Sequence, residues 1–251
     1  MVIGRFAPTP SGALHFGSLV AAVGSYASAK RQGGKWLVRI EDIDRPRVVK
    51  GAADEILRTL EAFGLEWDGE VMYQSRRTEA YRAALETLHT RGHTYECRCS
   101  RKDLAVANGI HPPFCVARRT SGTASIRLKT PDETVGFHDR LCGEFRQNLR
   151  SEVGDFVLRQ GENEFAYQLA VVVDDAFSGV TEVVRGADIL TSTPRQIYLQ
   201  RLLGCPTPEY AHLPLVLGAD GAKLSKQNLA QPLDTRDVEA TLNEALKFLG
   251  F

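Results

Sequence analysis

The chain has 251 residues, of which 43% are hydrophobic and 25% charged, a balance typical of globular proteins that excludes a disordered or fibrous chain. Its 31 basic residues equal its 31 acidic residues, so the zero net charge excludes a general attraction for polyanions. Any nucleic acid would therefore bind to a local basic patch.

The beginning of the chain favours a cytoplasmic protein without a membrane segment. The stretch MVIGRFAPTPSG has an arginine and two prolines where a secretory signal needs an apolar core, and no apolar run of about 18 residues follows it. Five cysteines are too few for a disulfide framework in a chain of this length. Three of them, Cys97, Cys99 and Cys115, lie close together in the sequence, which favours a metal site.

The first predicted elements are a strand, a helix and a second strand. A strand over 2–6 is broken by a loop rich in proline and glycine, and apolar residues then recur at helical spacing over 15–32 until Gly33 and Gly34 end the helix. The second strand is expected over 35–41. Because the parallel strands of a βαβ unit bind ligands at their carboxyl ends, we expect a ligand where the loop enters the helix.

Further along the chain, helical spacing predicts amphipathic helices that contain Leu60 and Leu85. The pattern fails over 97–123, which marks an irregular insertion. Strand and helix segments resume after it, over 124–128, 165–173, 194–203 and 238–248. This alternation predicts an α/β fold with a parallel sheet.

Residues 5–18, RFAPTPSGALHFGS, have the composition of a ligand-binding loop. Proline and glycine let a ligand approach the backbone, and the helix that opens at His15 offers unpaired N–H groups to a phosphate. The His15 imidazole can donate to that phosphate beside Gly17, which has no side chain to interfere. A strand-to-helix turn with a surface histidine is the alternative for this loop alone.

Residues 221–228, GAKLSKQN, place Lys223 and Lys226 on either side of a serine. Two lysines at this spacing form a cationic loop that could neutralise the charge developing on a pyrophosphate leaving group. A solvated surface loop is the alternative for this motif alone.

A second cluster, Cys97, Cys99, His111 and Cys115, predicts a zinc site in the irregular insertion. Three thiolates and one imidazole complete a tetrahedral structural site, and a loop poor in apolar residues gains order from the ion. Unligated thiols, with His111 or His93 as a loop residue, are the alternative. The isolated Cys142 and Cys205 are expected to be packed or solvent-facing.

Together and in this order, the two loop motifs resemble those of class I aminoacyl-tRNA synthetases. HFGS agrees with the His-Ile-Gly-His signature of that family in its first and third letters, and KLSKQ agrees with Lys-Met-Ser-Lys-Ser in both lysines and the serine. RFAPTPSG is typical of the glutamate and glutamine branch. The resemblance continues through IEDIDRPR, YQSRRTEAY, YQLAVVVDDAFSGVTEVVRGADIL and STPRQIYL. It implies activation of L-glutamate by ATP to glutamyl-adenylate, followed by transfer to RNA.

The resemblance also implies roles for individual residues. The catalytic groups would be His15, Lys223 and Lys226, and the ATP-binding residues would be His15, Gly17, Ser18 and Lys226. The L-glutamate site would comprise Arg5, Phe6, Ala7, Pro8, Thr9, Glu41, Tyr167 and Arg185. Arginine forks suit the two carboxylates of glutamate, and Glu41 suits its ammonium. Arg5 as a surface residue, and Glu41 simply paired with Arg39 or Arg45, are the alternatives.

The resemblance divides the chain into four segments. Residues 1–94 and 124–220 would form the two halves of a Rossmann-type catalytic domain, the second with an acceptor-type insertion. Residues 95–123 would form the zinc-binding insertion, and 221–251 the KLSKQ loop with a short C-terminal helix. No anticodon-binding domain is expected.

That organisation resembles the truncated members of the family, which attach glutamate to the cyclopentene ring of queuosine at the wobble position of tRNA(Asp). Those members hold zinc with Cys-x-Cys, a tyrosine and a cysteine, and His111 stands at the tyrosine position. Val171 replaces the asparagine of discriminating glutamyl synthetases, which implies weaker amino-acid binding.

The expected cofactors are ATP, Mg²⁺ and structural Zn²⁺, although no carboxylate cluster for Mg²⁺ is legible in the sequence. The expected partners are L-glutamate and tRNA(Asp) carrying queuosine, bound by a monomer. Candidate phosphate contacts are Arg76, Arg77, Arg118 and Arg119.

Two other functions compete with this one. The first is a minimal glutamyl- or glutaminyl-tRNA synthetase that charges the 3′ end of tRNA. The second is a non-catalytic sensor of glutamate or nucleotide, which would not need the two lysines.

Overall fold

The amino-terminal part of the chain forms the predicted βαβ unit. The computed structural model describes residues 1–104, 110–115, 121–218 and 231–251. Parallel strands β1 (Ile3–Phe6) and β2 (Lys35–Ile40) are joined by helix α1 (Phe16–Arg31). The chain turns after α1 at Gly33, whose φ of 63° favours glycine over any residue with a side chain.

The other elements continue the alternation of helix and strand. Helices α2 (Ala52–Ala62) and α3 (Thr78–Thr90) surround the short strand β3 (Met72–Tyr73), and β4 (Thr94–Cys97) and α4 (Arg101–Leu104) come next. They are followed by strands β5 (Ser125–Leu128), β6 (Thr134–Asp139), β7 (Gly143–Asn148) and β8 (Val157–Arg159). The last elements are α5 (Tyr167–Phe177), β9 (Glu182–Gly186), α6 (Thr193–Leu203), β10 (Glu209–Leu213) and α7 (Val238–Phe248).

Parallel pairing dominates the main sheet. β2 lies between β1 and β3, and β10 lies between β9 and β6, with parallel partners in each case. The two groups meet where the Ile3 carbonyl accepts from the Thr181 N–H at 2.9 Å and the Arg5 side chain donates from Nη1 to the Val184 carbonyl at 3.4 Å. β1 thus lies beside β9, and Phe6 and Gly186, the last residues of these two strands, line one cavity. The carboxyl ends of β1, β2 and β9 therefore meet at one edge, and the predicted α/β fold with a parallel sheet is confirmed.

A separate antiparallel sheet has the order β4-β5-β8. The sequence pattern placed irregular structure from Cys97 onward, but β4 continues to Cys97, which pairs with Ser125 of β5, and α4 follows it. These elements have four residues each, which is too short for an alternating or helical pattern to be recognised.

Two apolar clusters fix the strands that carry the cleft. In the first, Trp36 of β2 is fully buried, contacts the rings of Phe6 and Tyr26, and donates from Nε1 to Ser25 Oγ at 3.0 Å. Helix α7 completes this cluster through Ala245. The second cluster joins α3, α5 and α6 to β5 and β8. Within the described residues, no helix is long and apolar enough to cross a membrane.

Candidate active site

Two adjoining cavities open at the carboxyl ends of the parallel strands. The first has a volume of about 640 Å³ and lies at the start of α1, and the second has a volume of about 540 Å³ and lies beyond β2 and β3. Thr9, Arg47 and Asp188 line both cavities. The cavities therefore form one cleft, at the place where the βαβ unit predicted a ligand.

The first cavity is lined largely by the predicted loop and the first turn of α1. Its walls include Phe6, Pro8, Thr9, His15, Gly17 and Ser18 from the sequence-predicted site. His15 is the N-cap of α1, and its Nδ1 accepts from the Ser18 N–H at 3.3 Å, so a neutral ring carries its proton on Nε2. The Ser18 N–H also lies 2.8 Å from the His15 carbonyl. The Ser18 amide is therefore paired within the helix start, and the expectation that this helix start offers N–H groups to a phosphate stays a prediction.

The second cavity lies above a buried cluster of four charges. Its lining includes Ala7, Thr9, Glu41 and Tyr167. Beneath it, Arg39 Nη2 donates to Glu41 Oε1 at 3.2 Å and Arg39 Nη1 donates to Asp175 Oδ1 at 2.5 Å. Arg5 Nε donates to the same Asp175 oxygen at 3.4 Å.

This cluster decides between the alternatives for Arg5 and Glu41. Arg5 is 4% exposed, so it is not a surface residue. Glu41 does pair with Arg39, yet it still lines the cavity. Burial raises the pKa of Glu41, against the opposing charges of Arg39 and Arg5. Burial also disfavours the charged form of Asp175, but Arg39 and Arg5 outweigh it and lower the pKa of that carboxyl.

Arg185 is fixed by a second buried network. Its Nη1 donates to Tyr167 Oη at 3.3 Å, its Nη2 to Thr193 Oγ1 at 2.8 Å and its Nε to His212 Nε2 at 3.0 Å. These bonds use one N–H from each nitrogen, so the second N–H of each terminal nitrogen takes no part in this network. Arg5 and Arg185 do not line either large cavity. Arg185 is bonded to Tyr167, which lines the second cavity, and Arg5 is linked to Glu41 through Asp175 and Arg39.

His212 accepts from Arg185 because of the carboxylate on its other side. His212 Nδ1 lies 2.6 Å from Asp139 Oδ2, and both side chains are fully buried. The proton therefore lies on Nδ1, and Nε2 is free to accept. Burial and the charge of Arg185 lower the pKa of His212, which keeps the ring neutral.

Several of these residues were missed by the sequence analysis as members of the site. A signal was present for three of them: Arg39 interrupts the apolar strand KWLVRI, and Asp174 and Asp175 interrupt the apolar helix YQLAVVVDDAF. A charge inside an apolar element needs a partner, but the local sequence does not show which residue that partner is. Asp139 and His212 carry no such local signal.

Three thiols of the predicted metal site come together. The Sγ atoms of Cys97, Cys99 and Cys115 lie within 4.8 Å of one another. The Cys99 N–H donates to Cys97 Sγ, and the Arg98 N–H donates to Cys115 Sγ, both at 3.3 Å. Main-chain donors directed at sulfur are typical of the surroundings of cysteine ligands in metal sites. The donor set therefore fits a soft divalent ion such as zinc.

His111 is adjacent to this cluster but is not one of its mutually close groups. Its Nε2 lies 3.0 Å from Cys97 Sγ. Its Nδ1 lies 2.6 Å from the Pro112 carbonyl, which can only accept, so Nδ1 carries the proton and Nε2 presents its lone pair to the thiols. Burial lowers the pKa of His111, which also favours the neutral ring.

The remaining described residues that were predicted to contact substrate or RNA do not line the two cavities. Lys223, Lys226, Arg118 and Arg119 lie outside the described residues. Val171 is buried in the second apolar cluster and does not line the cleft. Arg76 is exposed and stacks on Tyr73, whereas Arg77 forms an ion pair with Asp174 at 3.0 Å and covers Phe177. Among the described residues, only the thiols form a cluster of three metal-ligating side chains.

Sequence comparison places this cleft in a known family. The family model for class I tRNA synthetases (E and Q), catalytic domain, matches residues 1–111 and 116–247. The Glutamyl-Q tRNA(Asp) synthetase of Ectopseudomonas mendocina is 55% identical over 249 residues, covering 99% of this chain and 85% of that protein. The protein of the same name from Thiobacillus denitrificans is 53% identical over 256 residues, with 99% and 85% coverage.

Solved structures show the same fold. The crystal structure of glutamate-tRNA synthetase from Elizabethkingia anophelis matches with a TM-score of 0.79 at 28% identity, covering 90% of this chain and 53% of that one. This chain thus spans about half the length of that synthetase. The methionyl-tRNA synthetase of Mycobacterium tuberculosis in complex with methionyl-adenylate matches with a TM-score of 0.65 at 12% identity, covering 99% of this chain and 64% of that one. At that identity it supports the fold alone.

Proposed function

The chain belongs to the class I tRNA synthetases of the glutamate and glutamine branch, and from this membership we propose that it activates L-glutamate with ATP and transfers it to the queuosine base of tRNA(Asp). The observation that carries the proposal is the cleft itself. Its first cavity has a histidine donor at a helix start, and its second has a buried carboxylate with arginines behind it. The acceptor, queuosine in tRNA(Asp), is inferred from the names of relatives that are more than half identical to this chain.

In the first step, the α-carboxylate of glutamate attacks the α-phosphorus of ATP and pyrophosphate leaves. The chain then needs no nucleophile of its own, so its residues act by orientation and charge stabilisation. His15 donates from Nε2 to the phosphates beside Gly17 and Ser18. Lys223 and Lys226 neutralise the leaving pyrophosphate.

Glutamate occupies the second cavity. Glu41 binds the ammonium, and the remaining N–H groups of Arg5 and Arg185 bind a carboxylate. The strands and the buried partners hold these groups in place, so little ordering is needed when substrate binds. Ala7, Thr9 and Tyr167 form the adjacent wall, with Phe6 and Pro8 on the side of ATP.

In the second step, a hydroxyl of the queuosine ring attacks the carbonyl of the adenylate, an ester forms, and AMP leaves. This requires the anticodon loop to reach the mouth of the second cavity. Arg76 is our candidate for a phosphate contact there, rather than the ion-paired Arg77, because its guanidinium is exposed. We further propose that the protein acts as a monomer and that it is located in the cytoplasm.

Two ions complete the proposal. Mg²⁺ would enter with ATP and shield its phosphates. Cys97, Cys99 and Cys115 would hold Zn²⁺, with His111 as the fourth ligand, and the ion would order the segment after β4. Purified protein is expected to contain about one equivalent of zinc, and Cys97→Ser or Cys115→Ser should lose it together with stability. A folded parent without zinc would contradict the metal site.

The function is tested by transfer of labelled glutamate, with ATP and magnesium, to tRNA from cells that do or do not make queuosine. We expect label in the queuosine-containing pool alone, and periodate treatment identifies which hydroxyls carry it. Equal labelling of both pools at the terminal ribose would instead identify a minimal glutamyl-tRNA synthetase. Absence of glutamate-dependent pyrophosphate exchange would identify a non-catalytic sensor.

A further inference from the structure

The side-chain oxygen of Gln74 is buried and has no part in the reaction proposed above. The residue follows β3 at the carboxyl edge of the sheet, and none of its surface is exposed. Its Oε1 has no hydrogen-bond partner among the described residues. Burial of an acceptor without a partner is costly, so this atom points to a donor that arrives with a ligand.

The orientation of the Gln74 amide is set by Asp174. Gln74 Nε2 lies 3.0 Å from Asp174 Oδ2, and a carboxylate paired with Arg77 can only accept, so nitrogen and not oxygen faces it. Tyr81 Oη donates to the same carboxylate oxygen at 2.6 Å. Gln74 Oε1 is therefore held away from Asp174.

Gln74 lies beside Glu41. Strands β2 and β3 pair in parallel with Ile40 opposite Tyr73, and Glu41 and Gln74 are the residues that directly follow this pair, Gln74 as the first residue of a short 3-10 turn. Both residues line the second cavity. Among the described side chains with a buried acceptor that lacks a partner, Gln74 is the one that lines either large cavity.

We infer that Gln74 Oε1 accepts an N–H of the α-ammonium of glutamate, next to the carboxylate of Glu41. This inference rests on the proposed function and adds a substrate-binding residue that determines specificity for an amino acid. An ammonium has three N–H donors, so a neutral acceptor beside Glu41 satisfies a second one. A neutral amide also avoids a further negative charge next to Asp174 and Asp175.

The test compares Gln74→Met with Tyr81→Phe. Each variant removes one hydrogen bond to Asp174, but only Gln74→Met also removes a buried acceptor without a described partner from a residue that lines the second cavity. In glutamate-dependent pyrophosphate exchange without RNA, we expect Gln74→Met to raise the KM for glutamate about 10- to 100-fold, with kcat and the KM for ATP nearly unchanged. Tyr81→Phe should keep the KM of the unmodified protein.

Glutarate, which has both carboxylates but no ammonium, locates the contact. Its inhibition constant should be the same for the unmodified protein and for both variants. Should Gln74→Met fold poorly by thermal unfolding, Gln74→Asn withdraws the same oxygen by one methylene and must show the same selective rise. A KM for glutamate that is unchanged, or that rises equally in Tyr81→Phe, overturns the inference.

Two further outcomes separate this inference from the proposed function. If exchange is normal in Gln74→Met but transfer to tRNA is lost, the oxygen binds the amine of the queuosine side chain, and the inference is wrong. If the unmodified protein shows no glutamate-dependent exchange, the proposed function itself fails, and with it the basis of the inference.

Discussion

The two cavities of the cleft are constructed in different ways. The first takes its shape from a loop, a helix start and small side chains that are neighbours in the sequence. The second depends on Arg5 and Arg39, which both reach Asp175, 170 and 136 positions further along the chain. A local wall tolerates change at one residue, whereas a buried network leaves several groups without partners when one member is lost. Substitutions at the first cavity should therefore affect binding, and those beneath the second should also affect folding.

The largest effect is expected from Arg39→Met, which leaves Asp175 and Glu41 buried with less compensating charge. We expect the free energy of unfolding to fall by about 3–5 kcal/mol, measured by denaturant titration. Arg201→Ala is the matched control, because it removes an exposed pair with Glu133 at 2.9 Å and should cost at most about 1 kcal/mol. Equal losses in the two variants would contradict the expectation that the buried charge network contributes more to stability than an exposed ion pair.

Glu41→Gln should separate the two cavities by substrate. The amide keeps the shape of the side chain but not the charge that attracts an ammonium, so the KM for glutamate should rise about 10- to 100-fold. The KM for ATP should change little, because Glu41 does not line the first cavity. Glu164→Gln, at an exposed position of the same cavity, is the control in pyrophosphate exchange. A parallel rise for ATP would show that the cavities are not independent.

His15→Ala should act on the first cavity, raising the KM for ATP about tenfold through loss of one donor to phosphate. It should also lower stability by about 1 kcal/mol, because His15 caps α1. His15→Asn restores a cap but not the Nε2 donor, so it should recover stability without recovering ATP binding. Full recovery of both would mean that the ring acts only as a cap.

The smallest effect is a pH dependence of stability that comes from the network behind the second cavity. The pKa of His212 is lowered by burial and by Arg185, so the folded protein keeps the ring neutral while the unfolded chain takes up a proton near 6.5. Stability should thus fall as pH drops below that value, by at most about 1.4 kcal/mol per pH unit. The slope is measured by unfolding at several pH values. His212→Asn should remove this component, and an unchanged slope would assign it elsewhere.

Local patterns predicted a large part of this protein. The βαβ unit, the helices around Leu60 and Leu85, and α7 agree with the sequence expectations to within a few residues. The spacing of Cys97, Cys99 and Cys115 correctly predicted thiols that meet in space. These successes share a cause: periodicity, caps and turn residues act over a few neighbouring positions.

The sequence by itself determined the fold class, the family and the loop that lines the first cavity, because these depend on motifs and spacings read along the chain. Only the tertiary structure decided how charges in apolar elements are paired. The sequence around Arg39 does not indicate that Asp175 is its partner, because the two residues lie 136 positions apart. The same holds for His212 and Asp139, which lie 73 positions apart. Gln74 is the extreme case: its sequence context is ordinary, and its amide is oriented by Asp174, which lies 100 positions away, so that its oxygen has no partner among the described residues.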